Sequence, residues 1–592
     1  MCDSGLLFEY GLVGSFDTVA AMRGEEIAIA FSLQKVIESE ASDEDDIDID
    51  KESENNCDSS NESLYEYIGL SFLDVQFNSE QLAALLYHRF AVRSFDRVAV
   101  LCHGHAAAEL TATLACARIG APFVPLDDGW LHSGHDRLGA IIKDSAPQAA
   151  IVVGLNDTDA SVRMLAEVGV YRCILLHEDG SLVVEEASSA DFRQDLPANP
   201  FVADVSEDVL HRDEDAANIS SFPPLYILYT SGSTGLPKGV LGSHWGLINR
   251  IAWQFDRFPW SVDSIRREVA CRRTPLTFVD SLVEMFAPLL AAIPLWTPPK
   301  DILSGGLLAF AADAATMKVS RLTLLPSHLM KALQIDASFG SPTNWPSLRY
   351  VHVSGEPCSV LLTQLVRQHM PQVTLINLYG STEVAGDVSY AVLTKATDLS
   401  IEMDVETVIE EVADGLGEEA STEGLCVEVN PETNKVFAPI GYAINNNVLI
   451  IANQISPLSS SSDVVSSQLQ FDVCVDGSPG ELLVIGHHVA DGYHNRPTET
   501  SSRFLSIEDI DWVTSSKGSN INVANVIESL ASSSLCQSHS ALFPGPHKLF
   551  RTGDVVVRDA TTKAITWIGR ADHQVAQRTK YYFLGYFYYL KG

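Results

Sequence analysis

Residues 225–239 read Leu-Tyr-Ile-Leu-Tyr-Thr-Ser-Gly-Ser-Thr-Gly-Leu-Pro-Lys-Gly, and this stretch constrains the fold more tightly than any other. A run of strand-formers from Leu225 to Tyr229 gives way at once to Thr230, Ser231, Gly232, Ser233, Thr234, Gly235, Leu236, Pro237 and Lys238. Such a loop can turn hydroxyls and backbone N–H groups into one concavity. Its glycines admit an anion closely, and Lys238 adds a positive charge. A flexible Ser/Gly linker has a similar composition, but a linker does not usually hang directly on an apolar strand. In a Walker A loop the lysine follows the second glycine directly and Ser or Thr comes next; here Lys238 lies between Pro237 and Gly239. The stretch therefore predicts a phosphate grip at the end of a strand and argues against a P-loop phosphotransferase.

At 592 residues the chain is too long for one compact core and predicts several subdomains. Its formal charge of −38 makes nucleic acid and anionic membrane surfaces poor partners. The same charge repels ATP at long range, so a nucleotide site must build its own local positive field. Ten cysteines are scattered without a Cys-x-x-Cys pair, which argues against a disulfide framework or structural zinc and suits a reducing compartment. The start lacks a signal-peptide pattern, no apolar run is long enough to span a bilayer, and the end Leu-Lys-Gly is not a peroxisomal address. The expected location is cytoplasmic.

Along the chain, residues 15–33 combine a helical pattern with the apolar run Ile27-Ala28-Ile29-Ala30-Phe31. Residues 37–63 are dominated by Glu, Asp and Ser and cannot bury enough apolar surface to order themselves, so they read as a solvated acidic insertion. Apolar residues at helical spacing follow near Leu82 to Leu86, then a buried strand at Val98 to Leu101. A small-residue helix ending at Gly120 leads into the strand Phe123-Val124-Pro125-Leu126-Asp127, as in a βαβ unit. Ala149 to Val153 and Cys173 to Leu176 read as further strands, and Ser243 as the N-cap of a helix just beyond the phosphate loop. Residues 396–435 form a second acidic insertion.

Asn377-Leu378-Tyr379-Gly380-Ser381-Thr382-Glu383 is the second specific stretch. A strand runs into a turn that presents an aromatic face, a hydroxyl and a carboxylate together, and a carboxylate is a hard oxygen ligand suited to Mg²⁺. Together with the 225–239 stretch, and with Gly480-Glu481-Leu482 through Gly492-Tyr493, Phe550-Arg551-Thr552-Gly553-Asp554 and Trp567-Ile568-Gly569-Arg570 in that order, the chain resembles the adenylate-forming, or acyl-activating, superfamily over roughly residues 10–575. The resemblance implies an α/β fold: a large N-terminal domain of two helix-flanked β-sheet subdomains and a small β-barrel-like one. The core would begin in residues 1–36 and continue through 64–571. The implied chemistry is activation of a carboxylic acid by ATP and Mg²⁺ as an acyl-adenylate, for transfer to the thiol of CoA or of a phosphopantetheine carrier protein.

By the same resemblance Lys238, Thr382 and Glu383 carry catalysis, with Glu383 holding the metal. Thr230 to Lys238, Gly355, Glu356, Tyr379, Thr382, Asp554 and Arg570 hold the nucleotide: Tyr379 stacks on adenine, Asp554 takes the ribose hydroxyls and Arg570 lies near ribose and phosphate. Asp280, His352, Ser354 and Asp387 line the acid pocket. Taken alone, His352 reads as a satisfied core histidine before it reads as a pocket residue, and Asp280 reads equally as a capping aspartate.

Two departures matter. Val279 stands where amino-acid-activating members carry an aspartate for the α-amino group, with Asp280 one residue later, so Asp280 or Asp387 is expected to meet an amine placed farther from the carboxylate, as in β-alanine. This register and the acidic inserts resemble the β-alanine-activating, aminoadipate-semialdehyde dehydrogenase-like group. Residues 572–592 carry an aromatic, uncharged run from Tyr581 to Leu590 and contain no match to the lysine of the family's small C-terminal domain, so the expectation is a truncated, divergent end. Two readings stay open: an adenylating enzyme, and an ATP- and acid-binding chain whose activity is impaired by that missing lysine.

Overall fold

The computed structural model describes residues 4–34, 65–102, 104, 106–127, 135–153, 158–183, 223–231, 236–261, 268–298, 307–336, 338–341, 343–395, 428–430, 435–455, 469–513 and 548–571. The acidic insertion at 37–63, most of that at 396–435 and the tail at 572–592 lie outside them.

Three larger sheets organise these residues. The first runs, in spatial order, Leu182–Val183, Cys173–Leu176, Ala149–Val153, Val98–Cys102, Phe123–Asp127, Tyr226–Ser231 and Pro237–Gly242. Its central strands are parallel and buried on both sides, which is why they read as continuous apolar runs. The second sheet has nine strands, with Tyr350–Val353 and Thr374–Tyr379 side by side and parallel near one edge. At its other edge Ile27–Gln34 pairs antiparallel with Tyr65–Ser71, so the acidic insertion connects two neighbouring strands.

The helices between the two sheets share one core with both. Leu7 and Phe16 of Ser4–Arg23, Phe72 of Phe72–Ala84, Leu110 of Ala106–Arg118, Leu247 of His244–Arg257 and Phe286 of Asp280–Leu290 pack together with strand residues Val100 and Leu295. The outer face of the first sheet is covered by Leu138 and Leu165, and that of the second by Phe310, Leu329 and Leu362, each on a helix. The result is five alternating layers of helix and sheet.

A third, mostly antiparallel sheet contains Asn447–Ile455, Leu469–Val473, Gly480–Gly486, Phe504–Ser506, Ile510–Val513, Lys548–Arg558 and Ile565–Arg570. One of its faces packs on Val240, Val384 and Val388, which come from the first two sheets and their loops. That shared apolar contact brings three sheets to one junction. Among the described residues no helix is long and apolar enough to cross a membrane.

Candidate functional site

The strands that flank the expected phosphate loop form a β-hairpin. Tyr226–Ser231 and Pro237–Gly242 pair antiparallel, with Thr230 opposite Lys238 and Ser231 opposite Pro237. Glycine is required where the second strand crosses the tyrosines: a Cβ on Gly242 would lie 1.9 Å from the Tyr226 ring. Gly232, Ser233, Thr234 and Gly235 lie outside the described residues. At the strand ends, the Thr230 hydroxyl reaches the Lys238 carbonyl at 3.5 Å, Leu236 is exposed, and the Lys238 ammonium stands 5.6 Å from the centre of the Tyr493 ring.

Residues 491–496 fasten this hairpin. The Leu241 N–H donates to Gly492 O at 3.0 Å, and the His494 N–H to Gly239 O at 2.7 Å. Asp144, at the end of helix His135–Ser145, ties the same parts together: it accepts from the Tyr229 hydroxyl at 2.8 Å and from Arg496 at 3.1 Å, and its carbonyl accepts from His494 and Asn495. Burial, together with Asp144, pushes the Tyr229 phenol far up, so it remains a donor.

Thr374–Tyr379 ends in a tight return. A Cβ on Gly380 would lie 1.8 Å from the Gly386 carbonyl, and the N–H of Gly386 donates to Ser381 O at 3.0 Å. Between them Thr382–Val384 forms a single 3₁₀ turn that projects Glu383. One Glu383 oxygen accepts from the Tyr493 hydroxyl at 2.9 Å, and the Glu383 carbonyl accepts from the Ala490 N–H at 2.9 Å. The Ser381 hydroxyl is buried without a partner among the described residues. Tyr379 donates to Asp554, which also accepts from the Trp567 indole at 3.2 Å and faces Arg570 at 3.6 Å. Asp554 and Arg570 sit opposite each other on paired strands, so their proximity is a matter of register.

Behind Tyr379 lies a cleft whose wall includes Leu378, Arg250, Asp280, Glu284, His352 and Asp387. Ser243 caps helix His244–Arg257 as the sequence predicts, accepting from the Gly246 N–H at 3.0 Å. Two turns on, buried Arg250 donates to Asp387 at 3.0 Å, and Ser354 donates to the other Asp387 oxygen at 3.1 Å. The Asp387 carbonyl accepts from His488 Nδ1 at 2.7 Å, while His488 Nε2 accepts from Asn249 at 2.8 Å. Burial lowers the His488 pKa to about 3, consistent with a neutral ring that donates on one side and accepts on the other.

Asp280 makes no side-chain hydrogen bond among the described residues and does not cap its helix. Burial pushes its carboxyl up to about 8, with Asp387 and Glu284 adding to the shift and Arg250 opposing it. Glu284, one turn on, accepts from the Arg273 and Thr274 N–H groups with one oxygen; the other is buried without a partner among the described residues. His352 is 4% exposed, as a core histidine would be, yet its Nε2 has no partner among the described residues, and burial, then Arg250 and Arg321, lower its pKa to about 3. Gly355 and Glu356 follow Ser354 at the end of the strand next to that of Tyr379. Gly355 takes a left-handed φ of 82°, and Glu356 accepts from the Ser327 N–H at 3.1 Å.

The residues expected from the sequence thus fall into two groups. Lys238, Thr382, Glu383, Tyr379, Asp554 and Arg570 surround the junction of the three sheets, while Asp280, His352 and Asp387 line the cleft, with Ser354 bonded to Asp387. Asp387 is already matched by Arg250, which leaves Asp280 as the aspartate with free acceptor capacity. Sequence reasoning did not single out Arg250, Glu284, His488, Asp144 or Tyr493. Tyr493 lay within a quoted stretch, but nothing local marks its partners.

The chain matches the AMP-binding enzyme family over residues 52–494. Among curated proteins it is similar to vanchrobactin synthetase VabF of Vibrio anguillarum, 28% identical over 84% of this chain and 13% of VabF. It is also similar to the β-alanyl-bioamine nonribosomal peptide synthetase ebony of Drosophila melanogaster, 34% identical over 30% of this chain and 20% of ebony. The chain therefore spans a fifth or less of the length of these two relatives. The D-alanine–D-alanyl carrier protein ligase of Streptococcus agalactiae is 25% identical over 76% of this chain and 70% of the ligase. Among solved structures, IdnL1 superposes with a TM-score of 0.58 at 17% identity, covering 95% of this chain and 83% of IdnL1. The Klebsiella oxytoca NpsA N-terminal subdomain, in complex with 3-hydroxybenzoyl-AMSN, gives 0.55 at 17% identity, with 95% and 100% covered. These likenesses support the fold, and the family match decides membership: the chain belongs to the AMP-binding enzyme family.

Proposed function

We propose that this chain activates a small carboxylic acid with ATP, forming an acyl-adenylate and pyrophosphate, for transfer to a thiol. The observation that carries this reading is the adjacency of two differently built sites. Leu378 lines the cleft, and the next residue, Tyr379, joins the group that includes Asp554 and Arg570.

In this reading Thr230 to Lys238 grip the β- and γ-phosphates, Thr382 bonds the α-phosphate, and Asp554 and Arg570 hold ribose. The residues also fit Mg²⁺. Glu383 commits one oxygen to Tyr493, and Mg²⁺ is usually held by one or two carboxylates together with substrate phosphates. Among the described residues there is no cluster of three or more His, Cys, Asp or Glu that would form an all-protein metal cage. The unpartnered Ser381 hydroxyl on the same loop is a further group suited to a polar ligand. When bound, Mg²⁺ neutralises phosphate charge. The substrate carboxylate oxygen attacks the α-phosphorus, the bond to the bridging β-phosphate oxygen breaks, and pyrophosphate leaves with that electron pair. The chain contributes position and charge rather than a covalent intermediate.

Within the cleft, the raised carboxyl of Asp280 supports an acid that carries an amine, because an ammonium beside it would favour the ionised form. A β-amino acid such as β-alanine is the specific expectation. CoA or a phosphopantetheine carrier would accept the acyl group, and the carrier is favoured by the carrier protein ligase and peptide synthetases among the relatives. The test is ATP–pyrophosphate exchange across a panel of acids. Exchange that depends on added acid and is fastest with β-alanine is expected; ATP binding without acid-dependent exchange would sink the proposal.

A further inference from the structure

We infer that Tyr493 is the positioning residue that holds Lys238 and Glu383 in one arrangement for the nucleotide. The inference rests on the nucleotide reading above and goes beyond it in naming what orients the two charged groups.

Lysine carries a long, flexible stem, and Glu383 projects from a 3₁₀ turn of three residues, so neither charge is fixed by its own backbone. Tyr493 touches both. Its hydroxyl donates to one Glu383 oxygen at 2.9 Å, and its ring lies under the Lys238 ammonium at 5.6 Å, within the range of a cation–π contact. A phenol hydroxyl is a donor, and a carboxylate oxygen is its acceptor here. With that oxygen occupied, the other carboxylate oxygen would remain for a cation.

Tyr493 can act this way because it is itself held. Its N–H donates to Thr500 Oγ1 at 3.0 Å, its backbone bridges Val240 of the hairpin, and its ring meets Phe504 edge-on at 5.2 Å. The next three residues are fastened to Asp144. The side chain is 8% exposed, so solvent does not compete strongly for these contacts. Outer partners of this kind tune metal affinity by orienting the ligand without touching the metal. A tyrosine that merely filled space would need the Phe504 contact and no hydroxyl partner.

The distinction is testable by calorimetric titration of ATP into the 592-residue chain, once in EDTA and once in excess Mg²⁺, with thermal unfolding alongside. Tyr493→Phe keeps the ring under Lys238 and loses the hydroxyl. It should bind Mg²⁺-free ATP within about twofold of wild type, while the gain in affinity on adding Mg²⁺ falls about tenfold. Tyr493→Leu also removes the ring, so Mg²⁺-free ATP affinity should drop by a further two- to fivefold or so. An unchanged Mg²⁺ gain in Tyr493→Phe overturns the inference. So does an equal loss in both titrations accompanied by a lower unfolding temperature, which would mark a packing residue. Absence of ATP binding by the wild type would overturn the nucleotide reading as well, so the two failures are distinguishable.

Discussion

The proposed acid cleft and the proposed nucleotide junction lie next to each other but are built differently. In the cleft, Arg250, Asp387 and His352 are each at most 4% exposed, and Arg250 is matched to Asp387 inside the protein. At the junction, Lys238, Tyr379, Glu383, Asp554 and Arg570 are only half-buried and are held by contacts between sheets. A buried charge that loses its partner costs folding energy, whereas a half-buried group can turn to water and loses mainly its ligand. Substitutions in the cleft should therefore be read in stability, and those at the junction in nucleotide affinity.

The largest expected effect tests the first half of that contrast. Arg250→Met leaves the Asp387 carboxylate buried with Ser354 as its remaining side-chain partner, and should cost about 3–5 kcal/mol in denaturant unfolding. The double variant Arg250→Met, Asp387→Leu should recover much of this. A single-variant cost below about 1 kcal/mol would mean that the pair is not the cleft's support. Glu383→Gln tests the other half: MgATP affinity should fall about tenfold or more, with unfolding stability changed by no more than about 0.5 kcal/mol.

A pH series sharpens the comparison further. Burial raises the folded-state pKa of Asp280 from the ordinary aspartate value of 3.8 to about 8, so between these values the native state holds a proton that the unfolded chain releases. Its contribution therefore makes wild-type stability fall as pH rises through that window. Asp280→Asn should remove this slope and gain relative to wild type at pH 8 compared with pH 5; parallel stability–pH curves would refute it. The smallest effect concerns the helix that serves both regions. Ser243→Ala removes the cap of His244–Arg257 and should cost about 1 kcal/mol in the same unfolding measurement.

What was legible in the sequence was local. Strand-to-loop chemistry around Thr230 and Tyr379, the Ser243 cap and the helix-to-strand passage through Gly120 each lie within a few residues and obey backbone rules that a sequence displays directly. The grouping of Tyr379 with Asp554 followed from motif order and not from any periodicity. Contacts across the fold were not legible. Arg250 meets Asp387 across 137 positions and Asn249 meets His488 across 239, and nothing near either residue names its partner. Asp280 shows the same limit: its place at a helix start is readable, but its open carboxylate depends on Asp387 being matched elsewhere.

The Asp144 clasp also bears on how the chain folds. Its contacts with residues 494–496 join positions 350 to 352 apart. Closing so long a loop adds little to the equilibrium cost, which grows only with the logarithm of length, but non-local contacts form slowly. The hairpin can pair from its own strands during synthesis, whereas its fastening waits for a segment made much later. The hairpin strands Tyr226–Ser231 and Pro237–Gly242 are therefore synthesised well before the residues that fasten them.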